Sequence, residues 1–272
     1  MSSEASPLAR VLVVDASGVA RLVAMRALGP HVQAIPCADA EAALLALTPD
    51  TAMVVTALRL PGMDGQALAR AIRSQPSHAQ MPILAVSGNV AEALLERSLE
   101  PSFTDYFDKS LGAKAMGAFF EAYLHPKADA VGQVMLVEDS RTIAMTTRRM
   151  LEKRGAMVIV VASAEDAIAV LDRDLARGVA STLDLVISDV NLSGELTGLD
   201  VIRHLRQVRQ VSSAQLPVLV TTGDEKPESQ AELMRAGADD VLEKPVREAQ
   251  LLAKVRFHLW RSLQAREALQ VP

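Results

Sequence analysis

Short apolar runs rich in Val, Ile and Leu alternate along this chain with longer stretches whose apolar residues recur every three or four positions. Runs of about four to eight residues bounded by turn formers read as strands, and the longer periodic stretches read as helices. The first half gives strands at "RVLVVD", "HVQAIP", "AMVVTA", "MPILAVS" and "TDYFDK", and the second gives "QVMLVED", "MVIVVAS", "LDLVISD", "LPVLVTT" and "ADDVLEK". Strands apolar along their length and separated by helices belong to a parallel sheet covered on both faces. The pattern predicts α/β architecture, with five strands and five helices in each half.

The halves are copies of one another. "VLVVDAS" from Val11 returns as "VMLVEDS" from Val134, an offset of 123 residues that grows to 132 at the third strand and 135 at the fourth and fifth. The drift marks insertions in the second copy, chiefly "DRDLARGVAST" before its third strand. A chain of 272 residues accommodates two such cores. We place the domains at residues 8–125 and 133–262, with a final helix running to about residue 270, and a linker at 126–132 inside "YLHPKADAVGQ".

Composition narrows the function classes. Half of the residues are apolar but only 3% are aromatic, as expected of helices packed on a parallel sheet. The net charge of −5 divides evenly, 10 basic against 12 acidic residues through Lys127 and 18 against 21 afterwards, so neither half has the basic excess that binds nucleic acid. A lone Cys37 supports no disulfide framework and reads as a small buried hydrophobe. The N-terminal "MSSEASPLAR" lacks the form of a signal peptide and no run is long and apolar enough to span a membrane, so a soluble cytoplasmic protein is expected.

In an open parallel sheet, ligands bind beyond the carboxyl ends of the strands, where the strand order reverses. In the second copy Glu138 and Asp139 end the first strand, Asp189 the third, Thr222 the fourth and Lys244 the fifth. These residues, in this order, resemble the receiver domain of bacterial two-component response regulators, and the resemblance recurs once per half. It implies a doubly wound, flavodoxin-like fold of order 2-1-3-4-5. It also implies that Asp189 is the phosphoacceptor for a histidine kinase and that Glu138, Asp139, Asp189 and the backbone carbonyl of Asn191 hold Mg²⁺. Thr222 is then the switch hydroxyl and Lys244 the contact to the phosphoryl oxygens. Pro245 follows Lys244, where the family commonly has a cis peptide bond. Elementary electrostatics agrees, because three converging carboxylates repel by about 4 kcal/mol per close pair at an effective dielectric of 20 and need a cation to stay ionised. Oxygen-only ligands suit Mg²⁺.

The second copy departs from the family pattern in two places. Val241 stands where an aromatic usually forms part of the switch, and the loop "VNLSGELTG" is one residue longer than its counterpart "LRLPGMDG", with Ser193 for proline. The loop change reads as tolerated surface variation.

The first copy has lost its acids. Ala57 stands opposite Asp189 and Ala16 opposite Asp139, whereas Asp15, Ser87 and Lys109 remain, and Tyr106 supplies the aromatic that the second copy lacks. Thr56 does not substitute for the acceptor, since neighbouring strand residues point to opposite faces. This half reads as a pseudo-receiver kept for packing, for dimerisation or for binding a partner.

The five histidines, at 31, 78, 125, 204 and 258, show no metal-ligand spacing and read as surface or loop residues. "GDE" in "TTGDEKPE" belongs to the loop after the fourth strand and is no cyclase signature. The final helix carries Leu252, Val255, Leu259 and Leu263 on one face, and its length of about 36 Å would cover its own sheet with a frayed end or reach a second subunit, with Trp260 as an anchor.

The function expected is that of a response regulator, not an enzyme beyond self-catalysed phosphoryl acceptance and autodephosphorylation. Its partners would be a sensor histidine kinase or phosphotransfer protein, a downstream protein and a second copy of itself. The alternatives are a phosphorylation-independent scaffold or adaptor, and a regulatory input for a separate enzyme such as a diguanylate cyclase.

Overall fold

The computed structural model describes residues 8–88, 102–125, 129–176, 181–224 and 227–270, in two compact units, Met1–Leu124 and His125–Pro272. The first contains β1 (Ala9–Val14), α1 (Gly18–Leu28), β2 (Val32–Cys37), α2 (Ala40–Ala46), β3 (Thr51–Thr56), α3 (Gly65–Arg73), β4 (Ile83–Ser87), β5 (Asp105–Asp108) and α4 (Gly112–Leu124). The second contains β6 (Gly132–Val137), α5 (Arg141–Glu152), β7 (Ala156–Val161), α6 (Ala164–Leu175), β8 (Leu185–Asp189), α7 (Gly198–Arg203), β9 (Val218–Thr222), α8 (Pro227–Ala236), β10 (Asp240–Glu243) and α9 (Glu248–Gln270). The sheets run β2-β1-β3-β4-β5 and β7-β6-β8-β9-β10, all parallel, so each is the expected doubly wound, flavodoxin-like sheet. The helix expected between β4 and β5 falls on residues 89–101, outside the described ones, and β6 begins at Gly132, the last residue of the stretch read as a linker.

Short polar residues start the helices. Asp39, Asp64 and Ser163 accept from the backbone N–H three positions on, at 2.7, 2.7 and 3.1 Å, satisfying donors that a helix start leaves bare. Thr197 and Asp200 form a reciprocal capping box at α7. The central strands are buried on both faces: Val11 to Val14, Val134 to Val137 and Leu185 to Asp189 are all at most 6% exposed. Two apolar layers, one per face, cover the second sheet.

The last helix packs against the sheet of the second unit. Leu252, Val255 and Leu259 are buried as expected, but Leu263 is 52% exposed, and buried Ser262 takes over the inward face. Arg266, one turn further on, pairs with Asp184 at 2.9 Å and donates to the carbonyls of Ser181 and Leu183 at 2.7 and 2.6 Å. Ser181, near the end of the second copy's insertion, thus supplies one of the acceptors that hold its longer helix. Among the described residues no helix is long and apolar enough to cross a membrane.

Two histidines differ from expectation. His78 and His258 are 3% and 1% exposed. Each ring finds local acceptors or donors, His78 at the Thr48 carbonyl and Ser77 hydroxyl (3.0 Å each) and His258 at Asp240 (3.3 Å), which makes burial tolerable. Cys37, at the end of β2, is buried, and burial pushes its thiol pKa up.

A glycine behind each site sets how closely the α3 and α7 starts approach the sheet. A Cβ on Gly198 would lie 2.0 Å from the Asp189 carbonyl oxygen, and one on Gly65 2.2 Å from that of Ala57. We expect Gly198→Ala to destabilise the second unit by about 2–3 kcal/mol in urea unfolding, because the new methyl meets rigid backbone. Gly223→Ala, with nothing within 4 Å, serves as the control and should cost far less.

Candidate functional site

Parallel strands deliver their last residues to one edge, and in the second unit that edge collects the acids. β6 ends just before Glu138 and Asp139, and β8 ends on Asp189. One carboxylate oxygen from each of these three residues lies within 4.8 Å of the others. Glu138 and Asp189 are 3% and 6% exposed. Lys244, directly after β10, reaches across and donates to Asp189 at 2.7 Å and Glu138 at 3.0 Å. The Lys244–Pro245 peptide is cis.

One ammonium does not balance three carboxylates. At an effective dielectric near 20 each close pair costs about 3–4 kcal/mol, so the group remains a strong attractor for a further cation. Its donors are all hard oxygens, which fit a divalent ion of the Mg²⁺ type rather than a thiolate-seeking metal. Burial disfavours the charge on Lys244, but its hydrogen bonds to Asp189 and Glu138 outweigh that and hold its pKa above the ordinary lysine value.

Thr222 closes β9, is 2% exposed, and accepts the Asp224 N–H on its hydroxyl at 2.9 Å, so a change at this hydroxyl is felt directly by the following loop. The backbone N–H of Asn191 donates to Asp189 at 3.4 Å. Val241 packs at the margin of one apolar layer.

The loop after β8 plays a larger part than its surface position suggested. Ser193 donates both its backbone N–H, at 3.0 Å, and its hydroxyl to Asp139. The hydroxyl bond is the foremost reason that the Asp139 carboxyl titrates below its usual range, assisted by the N–H. Proline at this position would offer neither donor, so Ser193 makes two contacts to Asp139 that the shorter loop's proline could not. Glu165, from the first turn of α6, accepts from the N–H groups of Glu195 and Leu196 at 3.2 and 3.1 Å and fixes the rest of the loop. Nothing in the local sequence around Ser193 announced the bond, since its partner is 54 residues away.

The first unit preserves the frame without the cluster. Asp15, the counterpart of Glu138, pairs with Lys109 at 2.9 Å, and Ala16 and Ala57 bring no carboxylate. Arg21 also donates its guanidinium to the carbonyls of Asp15 and, at 3.2 Å, Ala16, so the site sets one acid against two cations and no longer attracts a further one. Thr56 donates its hydroxyl to the Ala57 carbonyl at 3.0 Å, the same bond that Ser188 makes to Asp189, so its oxygen is spent on the backbone. Tyr106 stacks edge-on against Phe103, with 5.3 Å between the ring centroids.

The sequence model for the response regulator receiver domain matches this chain twice, over residues 11–120 and 134–256. The transcriptional regulatory protein CpxR of Klebsiella pneumoniae is 30% identical over 132 residues, 48% of this chain and 51% of CpxR. The sensory/regulatory protein RpfC of Xanthomonas campestris is 34% identical over 137 residues, 50% of this chain and 18% of RpfC. The chain spans about half the length, or less, of these curated relatives. Among solved structures, the chemotaxis response regulator CheY4 of Vibrio cholerae aligns with 27% identity and a TM-score of 0.40, covering 47% of this chain and 98% of that one. A response regulator/ggdef domain protein aligns over 94% of this chain and 100% of its own, with 22% identity and a TM-score of 0.45.

The Lys244 geometry has a pH signature. A pKa raised by folding means that the contribution of Lys244 to stability is complete below the unfolded lysine value of about 10.4 and is lost as pH rises through the folded value. We expect the stability difference between the wild-type chain and Lys244→Met, measured by urea unfolding, to be constant from about pH 7 to 9 and to shrink above about pH 10. A difference that stays constant to the alkaline limit of folding would contradict the pairing.

Proposed function

The chain belongs, in both halves, to the response regulator receiver domain family, and from that premise we propose that the second unit accepts a phosphoryl group on Asp189 while the first is a pseudo-receiver that works through protein contacts. Receiver domains of this family are signalling modules that receive phosphoryl groups from histidine kinases or phosphotransfer proteins, and such proteins are the proposed donors here. The observation that carries the reading is the position of Asp189: a nearly buried carboxylate at the end of the middle strand, bonded to Lys244 and gathered with two further acids.

In the proposed step a carboxylate oxygen of Asp189 bonds to phosphorus as the phosphorus–nitrogen bond of a phosphohistidine breaks, and the histidine nitrogen leaves with the electron pair. Mg²⁺, held by Glu138, Asp139, Asp189 and the Asn191 carbonyl, would supply positive charge to the phosphoryl oxygens. The rest is the work of this chain. Lys244 orients Asp189 before transfer and can follow the negative charge to a phosphoryl oxygen afterwards. Ser193 keeps Asp139 ionised and pointed at the cluster. Thr222 exchanges its bond to the Asp224 N–H for one to the new phosphoryl oxygen, which displaces the loop after β9 and alters the face built on β9, β10 and their helices. Val241 replaces the bulky half of the usual switch, so the hydroxyl and its loop carry the change. A downstream protein, or a second copy of the chain, reads that face, and the setting proposed is the cytoplasm.

Incubation with acetyl phosphate and Mg²⁺ is expected to label one site per chain with an acid-stable, base-labile phosphoryl group, and Asp189→Asn should abolish the label. Ala57→Ser should leave it unchanged. Label persisting in the Asp189 variant would overturn the assignment, as would a silent wild-type chain.

A further inference from the structure

The first unit holds a cavity of about 180 Å³ at the carboxyl ends of β1, β3 and β4. Its floor is apolar: Val13, Val55, Val86 and Met116 line it, and all are at most 5% exposed. Ala20, Ala24 and Ala57 also line it, where the second copy has the larger Ile143, Thr147 and Asp189. The Thr56 hydroxyl on its wall is already donated to the Ala57 carbonyl at 3.0 Å. Apolar cavities take apolar guests, and one of about 150 Å³ holds benzene, so this one admits a body of about six carbons and little more. Nucleotides and other large ligands, whose sites run to about 300–1,000 Å³, do not fit.

One side of the cavity is charged. Asp15 and Lys109 both line it and pair at 2.9 Å. The acid is satisfied, because its other oxygen accepts the Ser17 N–H at 2.9 Å. The base is not, since an ammonium carries three N–H donors and Asp15 takes one. Arg21 adds a second cation on the carbonyls of Asp15 and Ala16. Ala113, in the first turn of α4, brings the partial positive charge of a helix start to the same lining.

Floor and mouth together select the occupant. A neutral hydrocarbon would fill the floor and leave the ammonium without a partner, whereas inorganic phosphate would meet the ammonium and leave the apolar floor empty. A small acid with an apolar body answers both. In the second unit Asp189 stands at the position of Ala57, and its carboxylate would repel such an acid.

We propose that the first unit binds a small apolar monocarboxylate, with its ring or branched chain in the cavity around Ala57 and its carboxylate on the Lys109 ammonium at the mouth. The ligand sits where the second unit holds its proposed phosphoacceptor. Binding requires neither Mg²⁺ nor a phosphodonor, so it stands or falls apart from phosphoryl transfer at Asp189.

Phenylacetate is the probe, titrated by calorimetry into the full chain in the absence of Mg²⁺. One site per chain is expected, with shifts in the methyl resonances of Val86 and Met116. Phenylacetamide, the uncharged isostere, should bind about ten- to a hundredfold more weakly, because a hydrogen bond between charged groups is lost. Ala20→Ile fills the cavity from within and leaves Lys109 in place, and Ala57→Asp brings in the second copy's carboxylate. Each should weaken phenylacetate by about tenfold or more, with circular dichroism separating lost binding from lost fold. The phenylacetamide comparison needs no variant and decides the question even if a variant fails to fold. Absence of saturable binding overturns the site, as does equal affinity for phenylacetamide or undiminished binding by folded Ala20→Ile or Ala57→Asp chains. Methyl shifts confined to the second unit, or displacement of phenylacetate by inorganic phosphate, would also overturn it. Phosphoryl label on Asp189 is measured on the same preparation with acetyl phosphate and Mg²⁺: label without phenylacetate binding sinks the acid site alone, and binding without label sinks the phosphoacceptor alone.

Discussion

Like charge held together at the mouth of a parallel sheet is the constraint on which the second unit turns. Glu138, Asp139 and Asp189 lie within 4.8 Å of one another because β6 and β8 are neighbours and both end at that edge. The fold imposes the closeness, and Lys244 relieves only part of it. What remains is a standing demand for positive charge where a phosphoryl group would also bring negative charge, and this combination makes the edge responsive. In the first unit the same frame holds one acid against Lys109 and the Arg21 guanidinium, and the demand is gone.

Comparison of the two copies within one chain separates scaffold from chemistry. Both keep the bond from the residue before the acceptor position to the acceptor's own carbonyl, through Thr56 and Ser188. Both keep a glycine pressed against that carbonyl, and both set a glutamate, Glu41 or Glu165, beside a positive-φ glycine of the following loop. These features persist where the acids do not, so they serve the fold. The first unit forms the same five-stranded sheet with alanines at 16 and 57, so the frame does not depend on the acids.

The ten strands were legible in the sequence, because burial on both faces writes itself as continuous apolar runs; the strand order, and with it the meeting of the acids at one edge, came with the resemblance to receiver domains. Other contacts were not legible. Ser193 looked like loop variation, and its value lies in a bond to Asp139 across 54 positions. Arg206 carried no visible signal, yet it donates to the carbonyls of Gly237, Val211 and Leu216 and pairs with Asp239 at 2.8 Å, tying the α7 side to the start of β10. The periodicity of α9 correctly placed Leu252, Val255 and Leu259 inward but misplaced Leu263, because a serine and an arginine clamp took over where the sheet ends. The cavity could not be read from the alanines singly. A pocket of about 180 Å³ in the first unit has Ala20 and Ala24 of α1 and Ala57, just after β3, among its lining.

The central claim is that two carboxylates separate the copies, and calorimetric titration with Mg²⁺ tests it most directly. The wild-type chain should take up one ion, and the Ala16→Asp/Ala57→Asp chain, with its acids restored on an intact frame, should take up a second. Two ions or none in the wild-type chain, or a restored chain that still binds only one, would contradict the account.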